Sequence, residues 1–389
     1  MGFSLCVAVA GVATALVLLH RRRRLRAEAF AVDSKTSKRT PRARAAKTKA
    51  HQTNKLARLD QLLDSIFLPS SPSSFKGDSR LLDMTKPLPS TGEPSEGRLD
   101  WTGMCHTCDP FRVAPKMANT SRGQRKRETV EAFTYLLEHV MLPRVYASKS
   151  TGSNARPTIV DAGCSTGSLL LPLAVAFPEA CFVGVDLKPS SLALLRERAR
   201  AAGLSDRVST WAGRIEDYDG QCDALVALHA CGGASDGALE LAVRYAPAGS
   251  RSAPFAVSPC CVGALTVGVT PFGQKGSSAR GAASAWLSGH LERVTDFEGR
   301  DPSERVKACN DLFALLTSSA DAHWTRSLGG EAAARQQRAK RVVEIDRLAS
   351  MPGDDLGGRL LRIAGEAMTA TSSLTDVLVG PPEMLVGMA

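Results

Sequence analysis

The sequence predicts an α/β domain built on a doubly wound, mostly parallel sheet. Short apolar runs alternate with helical patterns through the middle of the chain, as expected for β-α-β units. The run Thr158–Leu187 is one such unit, with a glycine-containing loop between its first strand and its helix. Two further strand-like runs, Gly358–Ile363 and Val377–Val379, come after three helical stretches near the carboxyl end.

Each predicted element has a local reason. Ile159 and Val160 form a short apolar strand that ends in Asp161, and a second strand closes on Asp186. The helix between the second and third strands begins with Pro189 and is followed by Gly203, and both residues are typical of helix ends. The remaining elements are predicted from apolar periodicity: helices Ser168–Phe177, Pro189–Ala202, Asp236–Tyr245, Ala283–Val294, Ser303–Ser319 and Glu331–Ala349, and strands Val208–Ala212, Cys222–His229 and Phe255–Ser258.

The loop after the first strand predicts a nucleoside site. Gly163 and Gly167 allow the backbone to approach a ligand where a side chain would collide. An acid at the end of the second strand, Asp186, can accept both hydroxyls of a ribose. The dinucleotide pattern would need glycine at 165 and 168, where this chain has Ser165 and Ser168. An α/β domain that binds no nucleoside is the alternative.

The motif Asp-x-Gly-x-Ser-x-Gly resembles the first motif of class I S-adenosylmethionine-dependent methyltransferases, with Ser165 at the usual middle glycine. The methyl donor S-adenosyl-L-methionine has cationic groups and no phosphate, so an acid beside the loop suits it. The resemblance implies a Rossmann-like doubly wound seven-stranded sheet with the last strand antiparallel. It also implies a set of cofactor-binding residues: Asp161, Gly163, Ser165, Gly167, Asp186, Leu187, Glu216, Asp217 and His229.

Two further motifs follow the fourth and fifth strands. Leu-His-Ala-Cys-Gly (residues 228–232) and Pro-Cys-Cys (residues 259–261) resemble the methyltransferase-like family that includes the glutathione S-transferase C-terminal domain-containing protein. Residues 125–128, 340–347 and 375–380 match that family loosely. Because these strand ends lie beside the ligand crevice of a doubly wound sheet, the predicted catalytic residues are His229, Cys231, Cys260 and Cys261.

Two roles in catalysis stay open at this stage. His229 is either a general base for the acceptor or a strand-end histidine bonded to backbone; Glu344 and Asp346 are remoter bases. Cys260 is either a thiolate nucleophile, as cytosine C5 methylation requires, or part of the pocket floor. Gly263–Gly281 is expected to be a mobile loop over the site.

Charge and cysteine usage limit the partners. The net charge is +10, but residues 21–60 carry 14 Lys/Arg against 3 Asp/Glu, so the rest of the chain is close to neutral. The basic arm 21–60 could contact anionic lipid or RNA. Ten scattered cysteines indicate a reducing compartment. Cys105, His106 and Cys108 could contribute to a zinc site, but no second pair follows at ligand spacing, and we predict no metal.

The amino-terminal residues predict a membrane anchor. Residues 3–19 are apolar and uncharged, and four arginines follow them, which favours a single-pass anchor with the catalytic domain in the cytosol. The alternative is a cleaved segment that targets a plastid or mitochondrion. The predicted organisation is therefore 1–24 anchor and arginine cluster, 25–98 basic disordered arm and Ser/Pro-rich linker with a short amphipathic helix, and 99–389 methyltransferase domain.

The favoured function is a methyltransferase acting on RNA or protein. One alternative is a catalytically silent methyltransferase-fold scaffold held at a membrane. Another is a metal- or redox-responsive protein that uses its clustered cysteines, Cys105, Cys108 and Cys231 with the pair at 260 and 261.

Overall fold

The α/β class and the mostly parallel sheet are confirmed by the computed structural model. It describes residues 41–67, 99–113, 120–149, 155–259, 262–263, 265, 281–295, 301–320, 330–352, 359–362 and 376–380. The chain divides into two compact units, Met1–Ala57 and Arg58–Ala389. In the first unit the described residues are helical; the second unit holds the sheet and its helices.

The elements lie close to the predicted ranges. The strands are β1 (Thr158–Ala162), β2 (Cys181–Asp186), β3 (Val208–Ala212), β4 (Ala224–Leu228), β5 (Phe255–Ser258), β6 (Arg359–Arg362) and β7 (Asp376–Gly380). The helices are α1 (Pro41–Phe67), α2 (Ser121–Leu136), α3 (Leu142–Ser148), α4 (Leu170–Ala176), α5 (Pro189–Ala201), α6 (Ala234–Arg244), α7 (Ala285–Thr295), α8 (Pro302–Ala320) and α9 (Glu331–Ala349). A π-helical turn, Leu137–Met141, joins α2 to α3, and a 3-10 turn, Ile215–Asp217, follows β3.

The strand order in the sheet is β3-β2-β1-β4-β5-β7-β6. Strands β1 to β5 pair in parallel, and β7 pairs antiparallel with both β5 and β6. The last strand is therefore antiparallel, as predicted. Because β1 lies between β2 and β4, the order reverses at β1, and a doubly wound sheet binds its ligands outside the carboxyl ends of the strands at this point.

The sheet is buried on both faces, as the apolar sequence of its strands predicts. All five residues of β1 are buried, and neighbouring residues point to opposite faces. Ile159 packs with α2 to α5, whereas Val160 packs with α6 and the end of α9. A third apolar cluster joins the end of α1 to α7, α8 and α9.

The amino-terminal organisation differs from the prediction. Residues 41–54, expected in the disordered arm, belong to α1, which continues to Phe67. Its apolar stripe, Leu59, Leu62 and Leu63, is fully buried against α7 to α9, so the compact unit begins at Arg58 rather than at residue 99. No helix in the described ranges has the length and apolar character to cross a membrane. The predicted anchor, residues 3–19, lies outside those ranges.

Candidate active site

The loop between β1 and α4 (residues 163–167, the cofactor loop) has the backbone shape that its glycines predicted. Gly163, Ser165 and Gly167 have φ angles of +79°, +51° and +80°. The backbone N–H groups of Gly163 and Cys164 donate to the Val185 carbonyl at 2.8 and 3.1 Å, which fixes the loop against β2. Ser165 adopts the left-handed region although it has a Cβ, which costs roughly 1–2 kcal/mol and explains why glycine is usual at this position.

The two glycines serve different purposes. A Cβ on Gly167 would lie 2.3 Å from Leu195 Cδ1 and 3.1 Å from Leu171 Cγ, so the absence of a side chain lets the loop pack against α4 and α5. A Cβ on Gly163 would meet no atom of the described residues within 4 Å. Gly163 therefore borders open space at the carboxyl end of β1, where a ligand can approach the backbone.

Asp186 at the end of β2 is oriented towards the cofactor loop. Its Oδ2 accepts the Ser165 N–H at 2.9 Å, and its Oδ1 accepts the Lys188 N–H at 2.8 Å. A carboxylate has about four lone-pair positions, so each oxygen can accept a further hydrogen bond from a ribose hydroxyl. Leu187, which follows it, is 48% exposed, an unusual position for a large apolar side chain next to a strand end.

Asp161 is the most perturbed acid of the site. It is 2% exposed, and its Oδ2 is buried without a hydrogen-bond partner among the described atoms. Burial and, second to it, the charge of Asp186 raise the pKa of Asp161 to about 8, although the hydrogen bond from the Leu170 N–H lowers it in part. A buried carboxylate oxygen without a partner among the described atoms suits a cationic group, and the ammonium of S-adenosyl-L-methionine is one. The residues present therefore fit this cofactor.

Glu216 and Asp217 lie on the 3-10 turn after β3, at the same edge of the sheet. Glu216 forms an ion pair with Arg214, and its Oε2 lies against α6, where a Cβ on Gly237 would come within 3.2 Å. Asp217 is exposed. Of the two predicted adenine-reading acids, Asp217 is thus the one whose side chain is open to solvent.

The end of β4 brings His229 and Cys231 to the carboxyl edge of the sheet. The His229 N–H donates to the Ser258 carbonyl at the end of β5, at 3.1 Å. His229 has a φ of +64°, which is rare for a residue with a side chain and typical of functional positions. Cys231 is half-buried in the turn that follows. The other two predicted catalytic residues, Cys260 and Cys261, lie outside the described residues, as does most of the predicted loop 263–281.

A buried ionic cluster under this turn was not predicted from the sequence. Arg347 on α9 is fully buried and donates to Asp236 Oδ1 at 2.9 Å, to Glu344 Oε2 at 2.7 Å and to the Gly232 carbonyl at 2.9 Å. Gly232 belongs to the His-Ala-Cys-Gly turn, and Asp236 begins α6. Arg347 therefore holds the backbone that carries His229 in place.

In this cluster the positive charge of Arg347 is paired with the negative charges of Glu344 and Asp236. Burial opposes the charged form of Arg347, but Glu344 and Asp236 outweigh this effect and raise the pKa of the guanidinium. Burial raises the pKa of Glu344, whose Oε1 has no partner among the described atoms. Asp346, the other remote base considered above, instead accepts from the N–H and hydroxyl of Ser284 at 2.9 and 2.7 Å, and so caps α7. No local pattern in the sequence of α9 pairs Arg347 with residues of α6, which is why the cluster was not predicted.

The cysteine motif at 105–108 lies near the cofactor loop, to which Arg198 connects it. Among the residues that the structure describes, no group of three His, Cys, Asp or Glu side chains is arranged to hold a metal ion. The motif is instead joined to α5 by Arg198, whose Nε donates to the Thr107 carbonyl at 2.8 Å.

Residues 125–267 match the model of a protein family described as "Methyltransferase domain". This range contains the cofactor loop, Asp186 and the turn after β4. Together with the strand order, the match identifies these residues as a class I S-adenosylmethionine-dependent methyltransferase domain.

Similar proteins are known from several organisms. A tRNA (guanine-N(7)-)-methyltransferase of Chloroflexus aggregans is 42% identical over 64 residues, 16% of this chain and 28% of the relative. The human MTRF1L release factor glutamine methyltransferase is 31% identical over 81 residues, 21% of this chain and 23% of the relative. A glutathione S-transferase C-terminal domain-containing protein homolog of Drosophila pseudoobscura pseudoobscura is 35% identical over 164 residues, 41% of this chain and 25% of the relative. The similarity thus spans less than a third of each relative's length.

Proposed function

We propose that this chain transfers a methyl group from S-adenosyl-L-methionine to an acceptor in RNA or protein. The observation that carries the proposal is the buried, unpaired Oδ2 of Asp161 beside a left-handed loop, with the ribose-accepting Asp186 on the next strand. Asp161 is ionised when a cation is beside it, and it would hold the ammonium of the donor. Asp186 would accept the ribose hydroxyls.

When bound, S-adenosyl-L-methionine supplies an electrophilic methyl group on a sulfonium, which is transferred by in-line displacement. The protein has to hold the acceptor on that axis and receive its proton. His229 is the residue that we assign to the proton, because histidine is the most frequent general base in enzymes and the strained backbone of His229 is held by Ser258. Cys231 and the cysteines at 260 and 261 would border the acceptor.

Two features of the chain bear on the class of acceptor: its basic segment and its relatives. The basic segment 21–60 favours RNA, because clustered lysine and arginine supply the sequence-independent part of RNA affinity. The relatives include a tRNA methyltransferase and a release factor glutamine methyltransferase, one for each class. The acceptor atom is left to experiment.

A labelled-methyl assay tests the proposal. The full chain is incubated with tritiated S-adenosyl-L-methionine and, separately, total RNA and total protein from its own cells. We expect label in one pool, slower labelling by Asp186→Asn at a donor concentration below its Kd, and an unchanged rate in Asp206→Asn, an exposed acid paired with Arg156. Donor binding without transfer to either pool would favour the scaffold alternative and contradict the proposal.

We also propose that residues 3–19 anchor the chain in a membrane with the catalytic domain on the cytosolic side. Carbonate extraction and protease protection of the full chain, compared with a chain lacking residues 1–24, test this. Retention in the membrane pellet with a protease-accessible domain is expected. A soluble, shortened chain inside an organelle would replace the anchor with a cleaved targeting segment.

A further inference from the structure

The segment 99–113 (the cysteine loop) carries two cysteines in one tight turn. The Cys108 N–H donates to the Cys105 carbonyl at 2.9 Å, an i to i+3 bond that brings the two Cα atoms within about 7 Å. That separation is in the range that a disulfide requires. Both cysteines are free thiols in the structure, Cys105 half-buried and Cys108 fully buried.

The two thiols have different chemistry. Cys105 Sγ lies 3.1 Å from the Thr107 hydroxyl oxygen, and hydrogen bonds from the side chain and backbone of Thr107 lower the pKa of Cys105. Burial and, second to it, the nearby Cys105 raise the pKa of Cys108 to about 11. An accessible thiol that ionises easily, next to a buried thiol, is the arrangement of an attacking and a resolving cysteine.

The cysteine loop is bonded to the cofactor loop through one buried arginine. Arg198 on α5 is 5% exposed. Its Nε and Nη2 donate to the Thr107 carbonyl at 2.8 and 2.6 Å. Its Nη1 donates to the Thr166 carbonyl and lies 3.2 Å from Thr166 Oγ1. Thr166 is in the cofactor loop, between Ser165 and Gly167.

The other side of the cysteine loop is held firmly. Asp109 is fully buried, forms an ion pair with Arg127, and accepts from Arg112 Nε at 2.7 Å. Arg127 also lies over the ring of Phe111, 4.5 Å from its centre. Because residue 109 is fixed, a change of the turn at 105–108 is transmitted to Thr107 and hence to Arg198.

We propose that Cys105 and Cys108 form a redox-active dithiol whose oxidation by a small disulfide, such as oxidised glutathione, loosens the Arg198 bridge and weakens the methyl-donor site. The Cys105 thiolate attacks the small disulfide, forms a mixed disulfide and releases one thiolate. Cys108 loses its proton and attacks the Cys105 sulfur, which releases the second thiolate. The two cysteines lose two electrons, and the small disulfide gains them. The effect on the donor rests on the proposed function; the dithiol itself does not.

The test uses the full chain equilibrated in glutathione buffers of increasing oxidised fraction. Trapping of free thiols followed by peptide mass spectrometry measures the 105–108 disulfide. Titration calorimetry with S-adenosylhomocysteine, the demethylated donor, measures Kd in each state. We expect the disulfide to form reversibly and to raise Kd about tenfold, the effect of losing one hydrogen bond to a charged group. Amide exchange of residues 163–167 should become faster in the same samples.

Three variants make the result specific. Cys105→Ser and Cys108→Ala should each abolish the redox response of both Kd and amide exchange. Cys309→Ser, which removes a half-buried cysteine outside the turn, should keep it. If the 105–108 disulfide does not form, or forms without changing exchange at 163–167, the inference is wrong. If exchange changes as expected but neither state binds the donor analogue, the dithiol stands and the proposed function fails.

Discussion

The donor end of the sheet and the support under the β4 turn are two polar regions of one site, built in opposite ways. At the donor end, Asp161 and Asp186 are 25 residues apart in one β-α-β unit, and one buried oxygen of Asp161 has no partner among the residues that the structure describes. Under the β4 turn, Arg347 reaches partners 111 and 115 residues away, and all its bonds are made within the protein.

This difference separates binding from positioning. A buried carboxylate oxygen without a hydrogen-bond partner lowers the stability of the fold unless a ligand supplies that partner. The donor end is therefore less stable without its ligand than with it. The Arg347 cluster satisfies nearly all its groups by itself and needs no ligand. Variants at the first region should therefore change ligand affinity and pH dependence, whereas variants at the second should change stability first and catalysis as a consequence.

The pH dependence of the ligand-free protein gives the largest expected effect. Asp161 has a pKa raised to about 8 in the folded state, against about 3.9 when unfolded. Between these two pH values the unfolded state binds fewer protons than the folded state, so the free energy of unfolding falls as the pH rises. The contribution of protonated Asp161 is lost fully only above pH 8. Between pH 5 and pH 8, urea unfolding should show the free energy of unfolding of wild type falling by about 4 kcal/mol more than that of Asp161→Asn. If the free energy of unfolding changes equally with pH in wild type and Asp161→Asn, the Asp161 carboxylate is not buried without a partner.

Arg347→Met tests the second region. Removing the guanidinium leaves Glu344 and Asp236 without their cation in a buried place, which should lower the free energy of unfolding by about 3–5 kcal/mol. Urea unfolding measures this loss. Adding Glu344→Gln in the same chain should recover part of it, since one uncompensated charge is removed. If Arg347→Met alone is as stable as wild type, the cluster does not hold the turn.

Gly167→Ala and Gly163→Ala form a matched pair, because both residues have nearly the same positive φ and differ only in the space around them. Backbone strain should lower the free energy of unfolding of both variants by about 1–2 kcal/mol. Gly167→Ala should lose about 1–3 kcal/mol more, because its Cβ overlaps the Leu195 side chain. Thermal unfolding compares the two. Equal losses would mean that the α5 contact does not shape the loop.

Much of this comparison was visible in the sequence and part of it was not. The cofactor loop and Asp186 follow from residues that are close in sequence, where glycine conformation and strand periodicity act locally. The antiparallel last strand was expected only from the resemblance to class I methyltransferases. The Arg347 cluster depends on tertiary contacts between α9 and α6, which no local pattern encodes. The length of α1 was underestimated, because residues 41–54 are polar and lack the apolar periodicity used to predict helices.

Asp186→Asn should have the smallest effect of these changes. The amide keeps an acceptor but loses the charge, so two hydrogen bonds to ribose hydroxyls are weakened and Kd for S-adenosylhomocysteine should rise about tenfold. The folded state should be nearly as stable as wild type, because an amide oxygen can still accept the Ser165 N–H. Unchanged affinity would place the ribose elsewhere.

The most direct test of the donor site is the number of protons released when S-adenosyl-L-methionine binds. Titration calorimetry at pH 7 in buffers of different ionisation enthalpy measures this number. Asp161 is protonated in the free protein and has to ionise beside the donor's ammonium, so wild type should release close to one proton, and Asp161→Asn should release none. Binding with equal proton release in both proteins, or no binding by wild type, would contradict the assignment.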